Sequence, residues 1–437
     1  MNQEENRKRV AMLTLGCKVN QYESNAMAQK FIDAGYEICN INENPDIAIV
    51  NTCTVTNIAD RKSRQILRRV KEENENAIVV AVGCYVQVAK DKLEKIEEID
   101  LCLGNVEKKD IVDIVENYIQ EHKKIPKIVD VNQEKEYDEM GLTTYTEKTR
   151  ATIKVQDGCN QFCTYCLIPY ARGRVRSRGK QNIIGEVKKI AETGIKEIVL
   201  TGIHIASYGK DFEEDYKLIN LLEDLNKIDG IQRIRLGSLE PTIITEEFAK
   251  RLSNLDKICN QFHLSLQSGC DETLKRMNRK YTCQEFEEVT DILRKYFKDV
   301  SLTTDIIVGF PGETEEEFNK TYEFLKKIKF YKMHVFKYSP REGTPAAQMP
   351  NQVDGNIKEQ RSQKLIELSN NNQNEYNKSY IGKLLRVLFE EKTNGMWTGY
   401  TTNYIKVHVK SEENLENKIL TVMPQDVLEQ GIFGKLI

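Results

Sequence analysis

The stretch Asp157-Gly158-Cys159-Asn160-Gln161-Phe162-Cys163-Thr164-Tyr165-Cys166 carries the densest chemistry in the chain. Its cysteines follow a C-x3-C-x2-C spacing, with a glycine ahead of them and Pro169 just behind. Three thiolates on one tight loop can ligate three irons of a cubane cluster. The fourth iron is then left without a protein ligand, and chemistry can happen there. A zinc loop or three inert buried thiols are the alternatives. Structural zinc sites are closed by four ligands, commonly in paired C-x2-C spacings, and no fourth Cys or His lies close by in sequence.

A second set of thiols is scattered in sequence but regular in placement. Gly16-Cys17, Thr52-Cys53 and Gly83-Cys84 each come directly after an expected strand, at residues 9–15, 46–51 and 77–82. In open α/β sheets the loops at the carboxyl ends of strands face one crevice. Cys17, Cys53 and Cys84 should therefore converge and hold a second iron–sulfur cluster, again with one open iron. The alternative is three small residues in turns, since free Cys packs well as a minor hydrophobe. Cys39, Cys102, Cys259, Cys270 and Cys283 are of that bland kind.

The elements that must position these thiols follow from periodicity. The strands above, with a fourth at 101–103, alternate with helices expected at 22–34, 58–71, 86–96 and 109–120. That alternation predicts a doubly wound parallel sheet as an N-terminal domain over residues 1–120. Residues 121–149 are polar and read as a mobile connector. From 150 to 375 the units lengthen. Strands are expected at 152–156, 197–201, 233–237, 262–267, 302–308 and 333–337. The helices between them fall at 183–193, 216–228, 245–252, 283–296 and 315–328. Six βα units are too few for a closed eight-stranded barrel and suit an open, partial one whose mouth could admit a macromolecule.

Polar and glycine residues mark the strand ends, where barrel chemistry sits. They include Thr201, Gly202 and His204, then Glu240, Gln267 and Arg279, then Asp305 and Phe310. Singly each could be a turn residue; as a set they read as a ring around one cofactor. A helix is expected at 358–378. Residues 376–437 then alternate in short segments, at 384–390, 397–401, 404–409 and 418–424, which predicts a small β-barrel. Barrels of this kind bind looped RNA through stacking aromatics, for which Trp397, Tyr400 and Tyr404 are candidates, or these residues are core.

At 437 residues the chain is long enough for about three domains, and its 40% hydrophobic and 30% charged content is that of a soluble globular protein. No apolar run approaches the roughly 20 residues of a membrane span. The polar N-terminus shows no secretory h-region, so a cytoplasmic, reducing location is expected. There eleven cysteines suit metal ligation better than disulfides. The net charge of -3 says little about partners. Two basic runs say more: Arg61-Lys62-Ser63-Arg64-Gln65-Ile66-Leu67-Arg68-Arg69 and Arg172-Gly173-Arg174-Val175-Arg176-Ser177-Arg178. Each is a phosphate-contacting patch or a solvated face, and the second is favoured for phosphate because it follows the cysteine loop.

A C-x3-C-x2-C loop with an aromatic residue before its last cysteine resembles the signature of radical S-adenosylmethionine enzymes. Together with the three-cysteine N-terminal region and a TRAM-like tail, the whole chain resembles the radical S-adenosylmethionine methylthiotransferases. Within that family, Thr14-Leu15-Gly16-Cys17-Lys18-Val19-Asn20 and Thr201-Gly202-Ile203-His204-Ile205-Ala206-Ser207-Tyr208-Gly209 look most like the branch acting on N6-threonylcarbamoyladenosine in tRNA. The segment Leu264-Ser265-Leu266-Gln267-Ser268-Gly269-Cys270-Asp271 is shared more widely. The sibling acting on isopentenylated adenosine usually has Gln-Met-Asn where this chain has Lys18-Val19-Asn20.

The resemblance implies insertion of a methylthio group at adenine C2, beside the anticodon. It implies two 4Fe-4S clusters. One, on Cys159, Cys163 and Cys166, cleaves S-adenosylmethionine to a radical. The other, on Cys17, Cys53 and Cys84, holds the sulfur. By position on matching motifs, Tyr165, Thr201, Gly202, Glu240, Gln267, Arg279, Asp305 and Phe310 would form the S-adenosylmethionine pocket. The implied partners are the anticodon stem-loop of tRNA and an electron donor such as flavodoxin or ferredoxin. The implied state is a monomer away from any membrane. The same chemistry on isopentenylated adenosine, or a non-catalytic iron–sulfur RNA-binding protein, are the competing readings.

Overall fold

The computed structural model describes residues 7–122, 128–141 and 149–437. Residues 123–127 and 142–148 of the expected connector, and the first six residues, lie outside them. The N-terminal strands are β1 (Arg9–Thr14), β2 (Glu37–Cys39), β3 (Ile47–Thr52), β4 (Ile78–Gly83) and β5 (Leu101–Leu103). They form one parallel sheet in the order β2-β1-β3-β4-β5. β3 reads Ile-Ala-Ile-Val-Asn-Thr and is buried throughout, as a parallel strand covered on both faces must be. Helices α1 (Lys18–Asp33), α2 (Asn57–Glu73), α3 (Cys84–Leu93) and α4 (Ile111–Glu121) provide the cover. Two cores result, one under Ala26, Phe31 and Val115, the other under Leu67, Val70 and Val86.

Two details depart from the sequence reading. The edge strand β2 was not expected, because three residues carry too little alternation to register. α1 begins at Lys18 rather than Tyr22, because the extended backbone of Cys17 serves as its N-cap.

The middle of the chain contributes β6 (Arg150–Asp157), β7 (Arg176–Ser177), β8 (Glu197–Gly202), β9 (Arg233–Leu236), β10 (Gln261–Gln267), β11 (Ser301–Val308) and β12 (Lys332–Lys337). Around them lie α5 (Ile168–Arg172), α6 (Lys180–Glu192), α7 (Leu218–Asn226), α8 (Glu246–Ser253), α9 (Asp271–Arg276), α10 (Cys283–Tyr296), α11 (Glu315–Ile328), α12 (Pro345–Gln348) and α13 (Gly355–Lys378). Capping boxes at Thr282/Glu285 and Thr314/Glu317 fix the starts of α10 and α11. The strands form the sheets β7-β6-β8-β9 and β10-β11-β12, joined by single bridges Ile234–Ile258 and Leu239–Leu264. Apart from the short antiparallel β7, this is the expected six-stranded parallel arc. Ala151, Ile153 and Val155 of β6 pack outward in the helix-side core. Alternation leaves Arg150, Thr152, Lys154 and Gln156 on the lumen side.

The C-terminal strands β13 (Leu385–Thr393), β14 (Met396–Tyr400), β15 (Lys406–Val409), β16 (Ile419–Leu428) and β17 (Gly431–Leu436) close into a barrel, β13-β14-β15-β17-β16. β17 was not expected; it completes closure by pairing parallel to β15 and antiparallel to β16. Of the two readings of the candidate aromatics, the structural one applies here. Trp397 belongs to the barrel core. Tyr400 and Tyr404 stack on each other at 4.7 Å, with the Arg150 guanidinium over both rings. Their faces are taken up where the two barrels meet.

The described part of the connector is not the free segment expected. Val131 and Met140 are buried, Gln87 donates to the Val129 carbonyl at 2.9 Å, and Glu139 is paired with Arg178. The segment straps the N-terminal sheet to the partial barrel. Among the described residues no helix is long and apolar enough to cross a membrane.

Candidate active site

β1, β3 and β4 end side by side, and each hands on one cysteine. Cys53 follows β3 directly, Cys84 opens α3, and Cys17 caps α1. The Cys53 thiol lies within electrostatic reach of both Cys84 and Cys17. Gly16 makes this convergence possible: its φ is +102°, and a Cβ there would sit 2.7 Å from Cys53 Sγ. Asn20 ties two of the arms together, donating to the carbonyls of Leu15 (2.7 Å) and Thr52 (3.0 Å).

The second triad leaves the end of β6. Gly158 (φ +70°) passes so close to the Arg174 carbonyl that a Cβ would fall 1.8 Å from its oxygen, so no side chain fits. The loop is pinned by Cys159 N–H to the Gly173 carbonyl and Cys166 N–H to the Cys163 carbonyl, both 3.0 Å. Burial pushes the Cys159 thiol up to about 11 and Cys166 to about 12, with neighbouring thiols adding to the effect. Burial likewise raises Cys53 to about 11. Thiols raised in this way ionise only if positive charge arrives beside them.

The donor set fits iron–sulfur clusters better than a single ion. Among the described residues no three His, Cys, Asp or Glu side chains meet closely enough to hold one metal ion. A cubane instead gives each thiolate its own iron. N–H groups are already aimed at the sulfurs. Arg172 Nε lies 3.2 Å from Cys84 Sγ, Asn105 Nδ2 3.6 Å from the same sulfur, and Arg279 Nη1 3.3 Å from Cys163 Sγ. The backbone N–H groups of Gln161 and Ile168 point at Cys159 and Cys166. Hydrogen bonds of this kind orient cluster ligands and set cluster potential.

Around the second triad lie the residues expected to ring a cofactor. Arg279 joins Glu240 at 2.6 Å and Tyr281 Oη at 3.0 Å. Glu240 is held below the usual carboxylate range: burial opposes this, but His204 and Arg279 outweigh it. Thr201 and Gly202 end β8, and Gly202 leaves no space for a Cβ against the Gln156 carbonyl. Gln267 ends β10 in a left-handed conformation, φ +70°. Asp305 lies on β11, 3.2 Å from His263 Nε2. Tyr165 meets Phe310 edge-on at 6.2 Å. Phe310 itself has no exposed surface; packed among Met277, Tyr338 and Ala346, it backs Tyr165 and offers no face to a ligand. That corrects the direct contact expected of it.

The basic runs divide differently from expectation. In the second run Arg172, Arg176 and Arg178 are buried, and only Arg174 is open, lying over Phe162 at 4.5 Å. This run is therefore structural rather than a phosphate patch. In the first, Arg61, Lys62, Arg68 and Arg69 lie exposed along α2.

Sequence reasoning missed what Arg172 does. Its guanidinium reaches Glu23 at 2.7 Å, Asp157 at 3.1 Å and Asn20 Oδ1 at 2.8 Å while holding Cys84. Lys108 and Lys154 also pair with Glu23, at 2.5 and 2.7 Å, and Lys154 with Asp157 at 2.6 Å. Burial alone would raise the Glu23 pKa, but Arg172, Lys108 and Lys154 hold it well below the usual range. With Arg176 3.9 Å from Asp157, four buried cations thus face two carboxylates between the triads, a surplus that complements thiolate charge. No sequence signal joins Glu23 to Arg172; only the tertiary fold does.

Residues 153–325 match the family model described as the Radical SAM superfamily, and residues 9–104 match Uncharacterized protein family UPF0004. Among curated proteins, the chain is 42% identical to the threonylcarbamoyladenosine tRNA methylthiotransferase MtaB of Bacillus subtilis, over 94% of this chain and 93% of the relative. It is 36% identical to the tRNA-2-methylthio-N(6)-dimethylallyladenosine synthase of Thermoanaerobacter sp., over 97% and 92%. Among solved structures it shares its fold with the radical S-adenosylmethionine methyltransferase TsrM from Kitasatospora setae (TM-score 0.60, 15% identity, 78% of this chain and 74% of that one).

Proposed function

The chain belongs to the radical S-adenosylmethionine tRNA methylthiotransferases, and from that premise we propose that its substrate is N6-threonylcarbamoyladenosine beside the anticodon, converted to the 2-methylthio derivative. Two relatives named for threonylcarbamoyladenosine are 42% identical to it and a third 38%, against 35–38% for those named for dimethylallyladenosine. The observation that carries the mechanism is the pair of thiol triads joined through one guanidinium: Arg172 holds Cys84 of the first and the Asp157 that leads into the second.

Cys159, Cys163 and Cys166 would hold the cluster that binds S-adenosylmethionine, and Cys17, Cys53 and Cys84 the auxiliary one. Adenine C2–H is not acidic, so no general base on this chain can open it; the bound cofactors supply the radical chemistry. The protein's work is positioning. Arg279 and Glu240 hold Cys163 and the rim beside it. Tyr165, braced by Phe310, would pack near the adenine of S-adenosylmethionine. Thr201, Gly202, Gln267 and Asp305 would complete that pocket. The buried Glu23–Arg172–Asp157 network keeps the two triads at a fixed separation. The exposed arginines of α2 supply phosphate contacts for tRNA. A flavodoxin- or ferredoxin-type carrier delivers electrons, and the chain acts as a cytoplasmic monomer.

Nucleoside mass spectrometry of bulk tRNA from a deletion strain tests the substrate. The 2-methylthio derivative of threonylcarbamoyladenosine should vanish while that of isopentenyladenosine persists. The reverse would assign the chain to the other branch.

A further inference from the structure

The lumen of the partial barrel has a floor, and its charges do not balance. The turn between β14 and β15 plugs the lower end. Arg235 donates to the carbonyls of Thr401 and Thr402 at 3.2 and 3.1 Å, Arg233 to that of Tyr400 at 2.8 Å, and Ser301 to that of Asn403 at 2.6 Å. Arg150 pairs with Glu390 at 2.8 Å, and Arg235 with Glu197 at 2.8 Å. Into this layer the N-terminal domain sends Lys18, which has Tyr404, Arg150, Arg235 and Glu197 as its charged neighbours. Four cations, Lys18, Arg150, Arg233 and Arg235, thus share two carboxylates, Glu197 and Glu390.

The unpaired member is Lys18. Both arginines that flank it are committed to carboxylates, whereas Lys18 is exposed and has no hydrogen bond or ion pair among the described residues. Its position is also costly, at the first residue of α1, the positive end of a helix with no acidic residue in its first turn. Tyr404 reports the resulting field. Burial raises the hydroxyls of Tyr22, Tyr281 and Tyr376, but at Tyr404 Arg150, Lys18 and Arg235 outweigh burial and hold it below its ordinary value.

The geometry points to a carboxylate-binding subsite on this floor, in which Lys18 pairs with the threonyl carboxylate of the substrate base and so selects it over an apolar N6 substituent. This rests on the substrate reading above and deepens it. The carboxylate hangs from N6 by a urea linkage and one carbon, so it projects away from the reacting C2 by a span like that of a lysine side chain. Lys18 directly follows Cys17, the N-cap of α1, so the residue that carries this ammonium is joined to the auxiliary triad by one peptide bond. An isopentenyl arm would leave the cation desolvated and without a partner, a penalty that enforces discrimination.

The test is binding of anticodon stem-loop RNAs to the full-length, cluster-reconstituted protein by fluorescence anisotropy. Three loops are compared, with unmodified adenosine, isopentenyladenosine or threonylcarbamoyladenosine at the modified position. Lys18→Gln should weaken the threonylcarbamoyl loop about tenfold and leave the other two unchanged, while Lys18→Arg keeps the preference. Unchanged affinity for the threonylcarbamoyl loop in Lys18→Gln overturns the subsite. So does equal weakening of all three loops, which marks a phosphate contact, or a loss confined to S-adenosylmethionine affinity, which marks its methionine carboxylate. Failure of the substrate reading itself is visible separately, as wild-type protein that methylthiolates only the isopentenyl loop.

Discussion

At the scale of single residues the two triads are equivalent in chemistry and different in consequence. Both carry N–H groups trained on sulfur, at Cys84 in the first and at Cys159, Cys163 and Cys166 in the second. Only the loop of Cys163 neighbours the Arg279–Glu240 rim where S-adenosylmethionine would bind. Cys163→Ala should therefore abolish release of 5'-deoxyadenosine from S-adenosylmethionine, measured by chromatography after reduction. Cys53→Ala should retain that release and lose methylthiolation. Normal methylthiolation by Cys53→Ala would remove the role given to the N-terminal triad. Glu23 sets the stability of the joint between the triads. Removing it as Glu23→Gln leaves Arg172, Lys108 and Lys154 short of a counter-charge, a loss of about 3–5 kcal/mol in urea melts. The same residue fixes a pH signature. Its folded pKa is depressed, so its contribution is full above the unfolded value of about 4.3 and fades as pH falls below it. Wild-type stability should decline below about pH 4, and Glu23→Gln should decline less steeply there.

At the scale of elements, α2 is the part whose charge is free to act outward. Arg68 and Arg69 make only long, solvent-exposed pairs with Glu98 and Glu73, at 3.8 and 3.6 Å. Such pairs contribute little to stability, so the helix tolerates their loss. Reversing Arg61, Lys62 and Arg68 to Glu should leave the melting temperature nearly unchanged, weaken tRNA binding and flatten its salt dependence by about one unit of slope per phosphate contact removed. An unaltered salt slope would place the phosphate contacts on another face. The strap at 128–141 works inward instead. By joining Gln87, Lys154 and Arg178 it holds the sheet against the barrel so that strand ends from both face one space.

At the scale of the whole molecule, the strand-end cysteines were legible because each feature is local: an apolar run, then glycine or threonine, then cysteine. The six-stranded arc was legible for the same reason. What escaped was nonlocal. Nothing near Arg172 in sequence says that it will be buried against Glu23 of another domain, so its run looked like a phosphate patch. Tyr400 and Tyr404 looked like free stacking faces because the turn that carries them docks on strands more than a hundred residues earlier. β17 escaped because its pairing with β15 is parallel and skips a strand. The account depends on two clusters in one chain. Anaerobic reconstitution followed by iron and sulfide analysis measures this directly. About eight irons per chain are expected, falling to about four in a Cys17/Cys53/Cys84→Ala triple variant. About four irons in the wild-type protein, unchanged in that variant, would contradict it.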